Sequence, residues 1–116
     1  MTTPLQPLIQ YLRDFASERD WGPFHAPKNL ACALSVEAAE LLEPFQWLTE
    51  EQSRHLSPEQ HAAVSDEAAD VFLYLLQLCD QLDIDLMAVA QAKLERNRQR
   101  FPVEAAADQG GKDTGR

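Results

Sequence analysis

Two short runs carry carboxylates at helical spacing: Glu37-Ala-Ala-Glu40 and, 30 residues later, Glu67-Ala-Ala-Asp70. Residues three apart on a helix are neighbours on one face, so each run presents two carboxylates side by side. The intervening alanines keep the flanks slim and let facing helices approach closely. Both runs stand in apolar surroundings. Leu30 to Leu42 carries only one Ser and two Glu among its apolar residues, and from Ala68 to Cys79 the ionisable groups besides the thiol are Asp70 and Tyr74. Ionised carboxylates withdrawn from water are costly unless compensated, and adjacent ones repel. No Lys or Arg lies between Lys28 and Arg54, nor between Arg54 and Lys93, so local sequence offers no counter-charge. A divalent cation would supply it. Oxygen-only ligation with no His or Cys nearby favours Mg²⁺, with Mn²⁺ as a substitute, over zinc. A di-iron carboxylate bundle requires Glu-x-x-His motifs on two helices, and neither His55 nor His61 forms one. A single Glu-x-x-Glu is commonly a solvated face; two of them in apolar helices call for a metal.

Four helices are expected to position these groups, with no strand. The first runs from about Pro7 to Asp20, where Leu8, Leu12 and Phe15 recur at spacings of three and four. Gly22, Pro23 and Pro27 break the chain, and Pro27 suits the first position of a second helix that reaches about Leu42. Pro44 kinks or ends that helix. Residues 49–57 are polar and read as a connector. Ser57-Pro58-Glu59-Gln60 has the form of a helix start, with Ser57 as cap and Gln60 closing a capping box. The third helix extends to about Leu82, Asp83 or Asp85 caps the fourth, and Phe101-Pro102 stops it near Arg100. Short connections between long helices imply an all-α four-helix bundle over residues 1–102. Residues 103–116 lack large apolar side chains beyond Val103 and read as a disordered tail.

The composition limits the function classes. Nineteen acidic against ten basic residues give a formal net charge of −9, which disfavours a nucleic-acid binder. No signal segment or membrane span is expected, and cytoplasmic localisation fits. Cys32 and Cys79 occur without metal-site spacing and read as two reduced core thiols. The second and third helices are apolar on nearly every side, and four helices of this length cannot cover both completely. A partner subunit is therefore expected to complete the bundle.

The residues also resemble a known family. Glu18-Arg-Asp-Trp21, Phe24-His25-x-Pro27-Lys28-Asn29-Leu30, Glu37-x-x-Glu40-Leu41, Phe45-Gln46-Trp47, Glu67-x-x-Asp70-Val71 and Asn97 fall in the order expected of the MazG-like nucleoside triphosphate pyrophosphohydrolases. The likeness is closest to the dCTP pyrophosphatase branch and covers about residues 8–102. It implies a Mg²⁺-dependent enzyme that cleaves a nucleoside triphosphate to the monophosphate and pyrophosphate. It also implies that Glu37, Glu40, Glu67 and Asp70 hold the metal, and that Trp21, Phe24, His25, Trp47 and Tyr74 enclose the nucleoside. Glu40 is the candidate for orienting or deprotonating the attacking water. One departure is Leu12, where some dCTP-preferring members carry a histidine.

Residue chemistry supports several of these positions. Trp21 and Trp47 flank turn or polar segments, where an aromatic ring can stack on a base. Tyr74 lies one turn beyond Asp70 on the same face. Lys93 and Asn97 are four apart and suit phosphate oxygens, with Lys28 a weaker candidate; Arg98 and Arg100 suit the end of their helix. The reading of another class is a non-catalytic acidic helical module whose carboxylates hold a structural cation.

Overall fold

The computed structural model describes residues 5–103, and every regular element among them is helical. The elements are α1 (Leu5–Glu18), a 3-10 turn (Gly22–Phe24), α2 (Pro27–Leu42), a second 3-10 turn (Glu43–Phe45), α3 (Glu50–Ser53), α4 (Pro58–Gln81) and α5 (Leu86–Arg100). The described chain divides at Ile84/Asp85 into two compact units. The first contains α1 to α4 and the second contains α5. No described helix is long and apolar enough to cross a membrane.

The helix ends follow from local chemistry. α4 starts on the expected capping box: the Gln60 N–H donates to Ser57 Oγ at 3.1 Å, and the Ser57 N–H donates to Gln60 Oε1 at 2.8 Å. A second box caps α3, with Thr49 and Gln52 exchanging the same two bonds. This corrects the reading of residues 49–57 as a plain connector, because Thr49-x-x-Gln52 repeats the Ser57-x-x-Gln60 signature. α1 begins at Leu5 and ends at Glu18, two residues before the expected limit at each end. Its exit is a Schellman turn, in which the Trp21 N–H donates to Ala16 O and the Asp20 N–H to Ser17 O. Asp20 takes the left-handed position at φ 55°. α4 ends the same way, with Ile84 bonded to Cys79 O and Asp83 left-handed. Aspartate is among the few non-glycine residues that adopt this conformation readily. α5 is capped by Asp85, whose side chain accepts from the Ala88 N–H at 3.1 Å.

Within the first unit, α2 and α4 form the principal helix pair and α1 lies against α4. Arg13 on α1 fixes this contact by a bidentate ion pair to Asp80 on α4: Nη2 donates to Oδ1 at 2.5 Å and Nε to Oδ2 at 2.8 Å. The guanidinium holds the Asp80 carboxyl below the usual carboxylate range. Leu30 and Leu76, each 1 % exposed, make the core with Cys79. Cys32 is free but exposed, contrary to its expected place in the core. It lies on α2 off the half-buried line of Ala33, Leu34 and Glu37. Outside the core, the central helices leave large apolar side chains uncovered in the single chain: Val36 is 54 % and Leu42 61 % exposed, and Phe72 is also exposed.

Candidate metal centre and adjoining cleft

The pairing of α2 with α4 brings the two carboxylate runs together. Glu37, Glu67 and Asp70 each offer one oxygen, and the three oxygens lie within 4.8 Å of one another. Glu37 and Glu67 are half-buried and Asp70 is exposed. The crowding is electrostatically unfavourable without a cation. Burial above all, then the charges of Glu40, Asp70 and Glu67, pushes the Glu37 carboxyl up to about 7. Burial and then the Glu40 charge raise Glu67 as well. Glu67 Oε1 is buried without a hydrogen-bond partner among the described residues. An orphaned acceptor beside two further carboxylate oxygens is a donor set that fits a hard divalent cation, and its all-oxygen character fits Mg²⁺ or Mn²⁺.

Glu40 stands outside the three-oxygen group. It is half-buried, its charge acts on both Glu37 and Glu67, and with Glu67, Glu43 and Glu59 it lines a neighbouring acidic cleft of about 420 Å³. Glu43 and Glu59 were not anticipated. The signal for Glu43 was its position three residues beyond Glu40, continuing the 37, 40, 43 series on one face.

On its other side the carboxylate cluster opens into a cleft of about 200 Å³ between α1, the first 3-10 turn and α4. Asp70 belongs to both. Beyond it the cleft is lined by Trp21, His25, Tyr74 and Gln77, over an apolar wall that includes Leu12, Phe15 and Leu73. Phe15 meets the Trp21 ring edge-on at 5.5 Å, and Trp21 meets His25 at 6.2 Å, so the aromatic side is a packed group. Leu12, Ala16, His25 and Gln77 also line a further cleft of about 360 Å³, which the paired Arg13 and Asp80 line as well.

The MazG-like family model matches residues 32–112, about 70 % of the chain. The chain belongs to the MazG-like family. Among the relatives of this MazG-like chain, a dCTP pyrophosphatase 1 from Mus musculus is 40 % identical over 104 residues, covering 84 % of this chain and 61 % of the relative. One of the same name from Homo sapiens is 37 % identical over 115 residues, covering 94 % of this chain and 68 % of the relative. The chain thus spans about three-fifths of the mouse protein's length. The crystal structure of a pyrophosphatase from Archaeoglobus fulgidus superposes with a TM-score of 0.82 at 36 % identity, covering 89 % of this chain and 96 % of that one. The all-α MazG-like fold is therefore established.

Not every expected site residue of this MazG-like chain reaches the cleft. Trp21, His25, Tyr74 and Asp70 do. Phe24 is 68 % exposed and Trp47 86 % exposed, and neither lines a cleft described above. Phe24 ends the 3-10 turn, where its carbonyl accepts from Asn29 Nδ2 at 3.3 Å. Trp47 follows the Glu43–Phe45 turn that Pro44 imposes at the end of α2, and its ring stands in solvent in the single chain. Lys28 is exposed in the first turn of α2. Lys93 and Asn97 lie one turn apart on α5 in the second unit, Lys93 exposed and Asn97 half-buried. Sequence reasoning missed Gln77 as a lining residue, although it is the one amide in the apolar run Ala68 to Cys79.

Proposed function

We propose that the chain is a Mg²⁺-dependent nucleoside triphosphate pyrophosphohydrolase, with dCTP or a modified dCTP as its substrate. Water adds to a phosphorus of the triphosphate chain, the bond to the bridging oxygen breaks, and the products are the nucleoside monophosphate and pyrophosphate. The observation that carries this reading is the double role of Asp70, which joins a cluster of three carboxylate oxygens to an aromatic-lined cleft. A ligand that is phosphate at one end and a flat heterocycle at the other matches that junction. Many phosphate sites use glycine-rich loops and helix N-termini; a cluster of carboxylates can hold a triphosphate only through cations.

Glu37, Glu67 and Asp70 would hold the cation, with Glu40, whose charge acts on Glu37 and Glu67, as the fourth acidic position. When bound, such an ion neutralises phosphate charge and makes a water more acidic. Glu40, outside the three-oxygen group, is the residue we assign to orienting the attacking water. Trp21, His25 and Tyr74 hold the nucleoside by ring contact and exclude water around it. Lys93 and Asn97 are assigned to the phosphate oxygens, and Phe24 and Trp47 to closing over the nucleoside. The names of the relatives and of the archaeal structure support this activity.

The uncovered Val36, Leu42 and Phe72 support a homodimer or homotetramer. Two free cysteines suit the reducing cytoplasm, where a nucleotide-pool enzyme would act. The test is pyrophosphate release from dCTP by the purified full chain with Mg²⁺. Glu37→Gln and Asp70→Asn are expected to lower kcat/KM by at least about a hundredfold. Turnover by both variants at the wild-type rate would refute the assignment and favour a structural cation.

A further inference from the structure

We propose that Gln77 sets the base preference, by selecting a base that carries an exocyclic amine over one that carries a carbonyl at the same place. This inference rests on the pyrophosphohydrolase reading and goes beyond it by naming the residue that discriminates. Three observations lead to it. Gln77 is half-buried and lines both clefts, so it stands in the wall that they share. It is two helical turns beyond Asp70, about 10 Å along the axis of α4, which is the reach of a nucleoside from its 5′ oxygen to the far edge of its base. With the phosphates at Asp70 and the sugar beside Tyr74, the base edge arrives at Gln77.

The third observation fixes the polarity of its amide. Gln77 Nε2 donates to the backbone oxygen of Leu73 at 3.2 Å. A glutamine amide has two N–H donors and one carbonyl oxygen, so this bond leaves one N–H and the oxygen uncommitted. Side by side, an acceptor and a donor match the edge of cytosine or adenine, where an amine adjoins an unprotonated ring nitrogen. Uracil and thymine present the inverse pair, a carbonyl and a ring N–H. A freely turning amide would serve both by rotating half a turn. Here that rotation would set the Gln77 oxygen against the Leu73 oxygen, two acceptors face to face with no proton between them. The α4 backbone therefore locks the side chain in the amine-reading orientation.

Apart from His25, the other polar groups of the larger cleft are paired or stand away from the cleft that Asp70 lines. Arg13 and Asp80 are paired with each other, and Ser17, Asp20 and Gln81 line only the larger cleft, away from Asp70. Leu12 and Leu73 offer no hydrogen bond. Gln77 is the one amide that lines both clefts, and it keeps a free donor and a free acceptor.

The experiment compares kcat/KM for dCTP and dUTP, which differ at the edge in question, using the full chain with Mg²⁺. Wild type is expected to favour dCTP about tenfold or more, and Gln77→Leu and the isosteric Gln77→Met to bring the two rates to within about threefold of each other, chiefly by slowing dCTP. If either variant folds and keeps the wild-type ratio, the inference is overturned. If wild type hydrolyses both nucleotides equally, the inference is overturned while the hydrolase reading stands. If wild type hydrolyses no nucleoside triphosphate, the hydrolase reading falls and takes the inference with it. Should neither variant fold, wild type alone decides, with the dCTP analogue that has hydrogen in place of the 4-amino group. A rate about tenfold below that of dCTP supports the role of the amine, and an equal rate overturns it.

Discussion

Protons and divalent cations should compete for Glu37, and the competition can be worked out from its surroundings. Burial and the neighbouring carboxylates raise this group from an ordinary value of 4.5 to about 7. The cation requires the ionised form. At pH 8 the group is about nine-tenths ionised, at pH 7 half, and at pH 6 about one-tenth, so Mg²⁺ affinity should fall about tenfold between pH 8 and pH 6. The raised Glu67 acts in the same direction and steepens the fall. Titration calorimetry of the metal-free protein, repeated in buffers of different ionisation enthalpy, measures both affinity and released protons. About one proton should leave per Mg²⁺ at pH 6 and about a tenth of one at pH 8, from Glu37 alone. The sign for stability follows from the same shift. A folded-state value above the unfolded one gives a contribution fully present below about pH 4.5 and lost as pH rises through 7. Metal-free protein should therefore lose stability across that window, and Mg²⁺ should raise Tm more at pH 8 than at pH 6. In Glu37→Gln most of the pH dependence should vanish. Equal affinity at pH 6 and pH 8 with no proton release would refute the reasoning.

Other perturbations test the scaffold. Leu76→Ala removes one of two side chains at 1 % exposure and should cost about 2–5 kcal/mol, enough to unfold much of so lightly built a core; chemical denaturation followed by circular dichroism measures it. Ser57→Ala removes the oxygen that accepts from the Gln60 N–H and should cost about 1 kcal/mol, a Tm drop of several degrees by calorimetry. Asp80 has its carboxyl lowered by Arg13, so its contribution is present above the unfolded carboxylate value and lost as pH falls through the folded one. Asp80→Asn should accordingly lower Tm at pH 7 and have a much smaller effect near pH 2, as thermal melts at the two pH values would show.

Much of the site could be read from the sequence because its signals are local. Glu37, Glu40, Glu67 and Asp70 announce themselves by three-residue spacing inside apolar helices, and the Ser57-x-x-Gln60 box places the start of α4. Tyr74 follows from Asp70 by one further turn. What escaped depends on how α1 lies over α4. Gln77 and Leu12 become neighbours of a cleft only through that crossing, and the crossing is held by Arg13 and Asp80, 67 positions apart. Trp47 and Phe24 are the opposite case. The resemblance places both beside a nucleoside and the single chain leaves both exposed, Trp47 just after a proline-bearing turn, because exposure is a property of the assembled surface. Cys32 misled for a related reason: apolar neighbours in sequence do not say which side of a helix is covered.

The most direct test of the account is a crystal structure with Mn²⁺ and a dCTP analogue whose phosphate chain resists hydrolysis, read by anomalous scattering. The predicted result is a manganese peak among Glu37, Glu67 and Asp70, with triphosphate oxygens on the ion and the nucleoside in the cleft lined by Trp21, Tyr74 and Gln77. A nucleotide bound elsewhere, with no ion at the three carboxylates, would contradict it.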